Sequence, residues 1–180
     1  MSYKKSLHLI VIASALLSLI IVATTNSNLT FAQNDKFKAK LKGDNEVPAV
    51  STTATGKAKF KVKDDAITYK INITGITDVK MAHIHAGNEG ENGDPIVDLL
   101  KSGNQNKSQD GVIIGGEITA SDLEGSMSGK ALTDLQSAMA SEGTYVNIHT
   151  SEHPDGEIRG QIKVSGNATE TSSLDATATG

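Results

Sequence analysis

Histidine is the side chain here with the most chemistry to offer. The chain of 180 residues holds five histidines and no cysteine. His8 lies in an apolar N-terminal run. The other four fall in two stretches, MAHIHAGNEG (81–90) with His83 and His85, and TYVNIHTSEHPDG (144–156) with His149 and His153. On a strand, residues two apart project from one face with Cα atoms roughly 6.6 Å apart. Two imidazoles so placed can converge on one ion at about 2 Å from each nitrogen, while Ile84 points the other way. His149 is the natural third ligand if its strand lies beside the first, and His153 or a nearby acid is the candidate fourth. Without thiolates, imidazole ligation suits Cu(II) or Zn(II), with copper favoured by intrinsic affinity. The competing reading is structural. Histidines at strand ends donate to backbone carbonyls or carboxylates, and this pair would pin the following loop through Asp94 or Glu89. His153 alone reads as a surface loop residue.

Other polar stretches point less sharply. NEGENGD (88–94) offers oxygen ligands without EF-hand spacing, so it reads as a solvated loop. Glu46 is placed to hydrogen-bond across the fold, and Pro48 to end a strand. Arg159 would pair with Glu157 on a wet face or reach a carboxylate near the histidines. No GxSxG nucleophile turn occurs. Gly115-Gly116 inside VIIGGEI reads as a bulge rather than a phosphate loop.

The elements that must position these side chains are strands. GKAKFKVK (56–63) alternates lysines with Ala58, Phe60 and Val62, and AITYKINI (66–73) alternates Ile67, Tyr69, Ile71 and Ile73 with polar residues; Asp64 and Asp65 turn the chain between them. Further strands are expected at 37–42, 79–86, 95–100, 111–119, 144–150 and 157–164. In the second histidine stretch Val146 and Ile148 point one way, and Tyr145, Asn147 and His149 the other. After the turn at Asp155-Gly156, Ile158, Ile162 and Val164 face inward, with Glu157, Arg159, Gln161 and Lys163 outward. One segment, ALTDLQSAMASEG (131–143), spaces Leu132, Leu135 and Met139 as a helix that Gly143 caps. The fold class is therefore all-β, an antiparallel β-sandwich (Greek-key-like or dismutase-like) with one short helix near 131–142.

Lys4 and Lys5, an apolar run from Leu7 to Ala23 and the small residues Thr30 and Ala32 make a secretory signal peptide over 1–32. An uncleaved N-terminal anchor is the alternative. Residues 33–164 then form one domain, and the Ser, Thr, Ala and Gly of 165–180 a disordered tail. The mature chain carries 15 basic against 21 acidic residues, a net charge of −6. That disfavours a nucleic-acid binder, which needs a basic face. Charges are well mixed along the sequence, so no patch advertises a partner. No second apolar run is long enough to span a membrane. The lack of cysteine rules out disulfide staples, so stability rests on the core. Sequons stand at Asn28, Asn72, Asn106 and Asn167.

GDNEVPAV (43–50), AHIHAG (82–87), YVNIHT (145–150) and PDGEIRGQI (154–162) together resemble, in order, the CHRD domain first described in chordin. The resemblance implies an extracellular all-β domain. Chordin's role as a growth-factor antagonist depends on cysteine-rich modules that this chain lacks, so it is not carried over. The His-x-His strand is also similar to the copper ligand pair of copper–zinc superoxide dismutase, though the dismutase's cysteines and its bridging-histidine cluster have no counterpart here. The favoured reading is a non-catalytic, secreted or cell-surface module. It would hold Cu or Zn through His83, His85 and His149, with His153 as the candidate fourth ligand, and meet an envelope or extracellular protein as its partner. The alternatives are a copper-dependent oxidoreductase of the dismutase type and a structural adhesion module.

Overall fold

A computed structural model describes residues 35–101, 105–108 and 111–165. The expectations for the segment 1–32 and for nearly all of the tail 165–180 lie outside the described residues. Among these residues ten strands appear in chain order: β1 Lys36–Lys42, β2 Thr55–Lys63, β3 Ala66–Thr74, β4 Val79–Ala86, β5 Pro95–Asp98, β6 Gln105–Ser108, β7 Gly111–Ile118, β8 Thr144–Thr150, β9 Ile158–Gln161 and β10 Lys163–Val164. Among the described residues one α-helix, α1, spans Leu132–Ala140. The all-β class with a single short α-helix is therefore what the sequence leads one to expect.

The strands join in one antiparallel path, β5-β4-β8-β9-β1-β2-β3-β7-β6, with β10 added on β1. The path curls on itself, because the Tyr69 hydroxyl of β3 donates to the Leu99 carbonyl just after β5 at 2.7 Å. Inside lie Phe37, Leu41, Phe60, Ile67, Ile71, Ile84, Ile114 and Ile148, each at most 2 % exposed. Period-two alternation puts every second residue of β1–β3 on this inner face. The β2–β3 hairpin pairs Lys63 with Ala66. Its two-residue turn sets Asp64 at φ 51°, a left-handed conformation that aspartate tolerates.

Four local expectations change. The strand at 157–164 divides into β9 and β10, and β6 adds a strand that the sequence pattern does not announce. Gly115 and Gly116 form no bulge; the β3–β7 register runs unbroken through Lys70↔Gly115 and Tyr69↔Gly116. A Cβ on Gly116 would stand 2.8 Å from the Tyr69 oxygen, so this glycine makes room for the ring. Bulges occur instead in β4, between Ile84 and His85 and between Val79 and Met81. At the end of α1 the left-handed residue is Glu142, at φ 57°, and Gly143 follows it by donating to the Ala138 carbonyl.

Candidate metal centre

Strand β4 pairs with β8 in the register Met81↔His149, His83↔Asn147 and His85↔Tyr145, and β8 pairs with β9 through Asn147↔Arg159 and Tyr145↔Gln161. Alternation then places Met81, His83, His85, Tyr145, Asn147, His149, Arg159 and Gln161 together on the outer face of the sheet. Ala82, Ile84, Val146, Ile148 and Ile158 go to the core.

Each of His83, His85 and His149 presents one ring nitrogen within 4.8 Å of the other two. The His83 Nδ1 and His149 Nε2 atoms are 3.3 Å apart, the separation of two nitrogens each about 2.05 Å from one tetrahedral ion. The other two rings are held from behind. His85 Nδ1 donates to the Gly93 carbonyl at 2.8 Å, and His149 Nδ1 donates to the Pro154 carbonyl at 2.9 Å. A carbonyl only accepts, so the proton of each neutral ring sits on Nδ1 and the lone pair on Nε2. This is the tautomer-fixing arrangement that orients histidine ligands. His85 Nε2 is buried with no protein partner. Burial pulls the His85 imidazole down to about 4, and it also lowers His149; neighbouring histidines push the same way. Both rings are thus neutral at physiological pH, the form that ligates. His83 is half-buried and opens the group to solvent.

The surrounding face is buried more deeply than alternation implies. Arg159 is only 2 % exposed, not on a wet face. Its guanidinium stacks 3.4 Å from the Tyr145 ring centroid, and that ring stacks in turn on His85 at 5.0 Å. Arg159 Nη1 donates to Asn92 Oδ1 at 3.0 Å, and Nη2 to the carbonyls of Asn88 at 3.0 Å and Glu91 at 2.6 Å. The 88–94 loop is solvent-exposed as expected, with only Gly93 half-buried, yet its underside is fastened to Arg159. It folds down over β8 and β9, and Asn92 ties it on to the Val47 carbonyl at 2.7 Å. The expectation that a histidine pins this loop holds, but through the Gly93 backbone rather than Asp94 or Glu89. Glu157 is also buried, and accepts from Thr52 and Thr150, both at 2.8 Å.

Glu46 lies buried beside this face, with Asn147 Nδ2 donating to its Oε2 at a long 3.5 Å. Burial pushes its carboxyl up to about 7, against the pull of Arg159 and of the Asn147 hydrogen bond. Pro48 follows a cis Val47–Pro48 bond in the loop, not at the end of a strand.

Three of the four sequence-derived ligands thus come together. His153 lies outside that group, on the turn that supports His149, where its carbonyl accepts from Thr150 and Gly156. Two residues escaped the sequence reading as site members. Tyr145 was legible only as a face assignment. Met81 is 40 % exposed and stands opposite His149; its signal was the M-x-H-x-H spacing, which puts the thioether on the histidine face.

Among the described residues no helix is long and apolar enough to cross a membrane. The CHRD domain family model matches residues 37–162, and the chain belongs to that family. Among curated proteins, none matches the chain in sequence.

Proposed function

We propose that this CHRD domain is an exported, extracytoplasmic module that binds one transition-metal ion through His83, His85 and His149. The observation that carries the reading is the buried, unpartnered His85 Nε2 inside a group of three ring nitrogens no more than 4.8 Å apart. A buried acceptor left without a donor costs stability, and a metal ion would satisfy it. The donor set favours copper over zinc. Two imidazoles arrive with lone pairs already aimed, and Met81 stands across from His149, where a soft thioether suits Cu(I) as well as Cu(II). The role is binding rather than catalysis, with an envelope or extracellular protein as the partner. The half-buried His83 does leave a side open to solvent, which supports a second reading, a copper-dependent oxidoreductase of the dismutase type, since catalytic sites keep an open position.

The test is calorimetric titration of untagged protein with Cu(II) and Zn(II). Wild type should bind one equivalent at micromolar affinity or better. His83→Ala, His85→Ala and His149→Ala should each weaken binding by at least a hundredfold, whereas His153→Ala should change it less than threefold. Met81→Leu should weaken copper and leave zinc unchanged. Absence of binding in folded wild type would make the histidines hydrogen-bonding struts. Superoxide dismutation by the copper-loaded protein would decide for the second reading.

A further inference from the structure

The charges, well mixed along the sequence as a whole, are segregated in space. Strands β1, β2 and β3 carry nine lysines (36, 38, 40, 42, 57, 59, 61, 63 and 70) and no acid. All nine are exposed on the outer face. The register sets them against one another as Lys36↔Lys61, Lys38↔Lys59 and Lys40↔Lys57, and Lys59 continues to Lys70. None of the nine forms an ion pair among the described residues, whereas Lys80, Lys101 and Lys163 do. An open depression of about 440 Å³ at the centre is lined by Lys36, Lys38, Lys59, Lys61 and Lys70 with Thr68.

Like charges directly opposite in a sheet are destabilising, so the array is a cost to the fold that some other function must justify. Guarding a sheet edge is not that function, because β1, β2 and β3 lie inside the strand path. Nor is solubility: the chain is net acidic, and a cationic block lowers its net charge.

We propose that this lysine face docks on a membrane surface rich in anionic lipid headgroups. Three features choose that occupant. The charges form a two-dimensional lattice, with rows about 4.8 Å apart and steps of about 6.7 Å along each strand, and this shape matches a charged plane rather than a single linear polymer. Every cation in it is lysine, a compact and strongly hydrated charge. Arginine, the usual choice for bidentate phosphate and nucleic-acid recognition, is absent. The face carries no exposed large apolar residue, since Val47 and Met81 lie elsewhere. Binding is then electrostatic and peripheral, without insertion. The attraction is independent of the histidine group, which occupies the β4–β8 part of the same outer face.

The test is co-sedimentation of the full chain with phosphatidylcholine vesicles and with vesicles containing 30 mole per cent phosphatidylglycerol, at rising salt. Any contribution of the apolar N-terminal run is common to both vesicle types. Binding to the anionic vesicles should exceed that to neutral ones at least tenfold at low salt and vanish by about 0.5 M NaCl, where screening lengths fall to a few ångström. Lys38→Gln, Lys59→Gln and Lys70→Gln combined should lose about a hundredfold in affinity, at the usual contribution per lysine near an anionic surface. The same triple variant should melt at a higher temperature than wild type, because it relieves like-charge pairing. A control triple, Lys80→Gln, Lys101→Gln and Lys130→Gln, should bind like wild type. Equal binding to both vesicle types, or a lysine-face triple that binds as well as wild type, would overturn the proposal. So would preference at 0.15 M salt for a sulfated oligosaccharide or duplex DNA over the anionic vesicles.

Discussion

Replacing Glu46 with glutamine isolates the electrostatics of the buried polar face. Glu46 is 8 % exposed, its Oε1 and the facing Asn147 Oδ1 are both buried acceptors without a donor, and burial lifts its pKa from 4.5 to about 7. The folded chain therefore holds the proton more tightly than the unfolded chain does. Stability from this group is complete below pH 4.5 and is lost as pH rises through 7, a window of about 2.5 pH units. At roughly 1.4 kcal/mol per pH unit the loss is about 3.5 kcal/mol. Glutamine stands in for the protonated acid and supplies the missing donor. Glu46→Gln should thus match wild type near pH 4 and exceed it by about 3 kcal/mol at pH 8. His85 has the opposite sign. Its pKa is lowered to about 4, so its contribution is complete above 6.5 and is lost as pH falls to 4. In metal-free wild type the two slopes oppose each other between about pH 4.5 and 6.5, and the variant should become the more acid-sensitive protein over that range. Urea unfolding in the presence of a chelator at pH 4, 6 and 8 gives the difference curve. A constant difference across pH, or a variant that loses ground as pH rises, would show that attraction to Arg159 keeps Glu46 ionised and that burial does not decide its state.

Arg159→Ala should cost about 3–5 kcal/mol in urea unfolding, since it leaves the Asn88 and Glu91 carbonyls without their buried donor and removes the stack on Tyr145. Amide exchange should accelerate in 88–94 before it does in β2 and β3. Gly160→Ala would bring a Cβ to 2.3 Å from the Lys40 carbonyl oxygen, a backbone contact that no rotamer relieves. Thermal melting should show a loss of more than 3 kcal/mol or no folded protein, and an unchanged melt would mean that β1 and β9 can separate without penalty.

What was legible in the sequence was whatever depends on period two and on local spacing. Alternation in GKAKFKVK and AITYKINI gives β2, β3 and their hairpin, and HIH with NIH puts three histidines on strand faces. What was not legible depends on which strands become neighbours. Lys38, Lys59 and Lys70 are far apart in the chain and well mixed with other residues; only the register β1–β2–β3 lines them up. Arg159 reads as outward by alternation, and it is outward. It is buried because a distant loop, 88–94, lies on top of it. Gly116 looks like a bulge because the ring that fills its space, Tyr69, belongs to another strand.

The outer face of one sheet therefore serves two physical regimes, and the position of Arg159 explains how they coexist. On the β4–β8 side, a loop lies over the strands, His85 and His149 are held neutral by burial, and the His85 Nε2 acceptor is buried with no protein partner. On the β1–β3 side the lysines are exposed and, among the described residues, form no ion pair. Arg159 pairs across to Lys42, so the last buried charge meets the first exposed one at the β9–β1 seam. Its guanidinium, held by carbonyls from above and by Tyr145 from the side, fixes the edge of the loop cap. Without that cap His85 loses its Gly93 carbonyl and its ring regains water, so the lone pair would no longer be fixed on Nε2. Metal binding in Arg159→Ala should consequently weaken although Arg159 touches none of the three histidines, while attraction to an anionic surface should persist. That separation follows from the geometry: the histidine group depends on the cap, and the lysine lattice depends only on strand register.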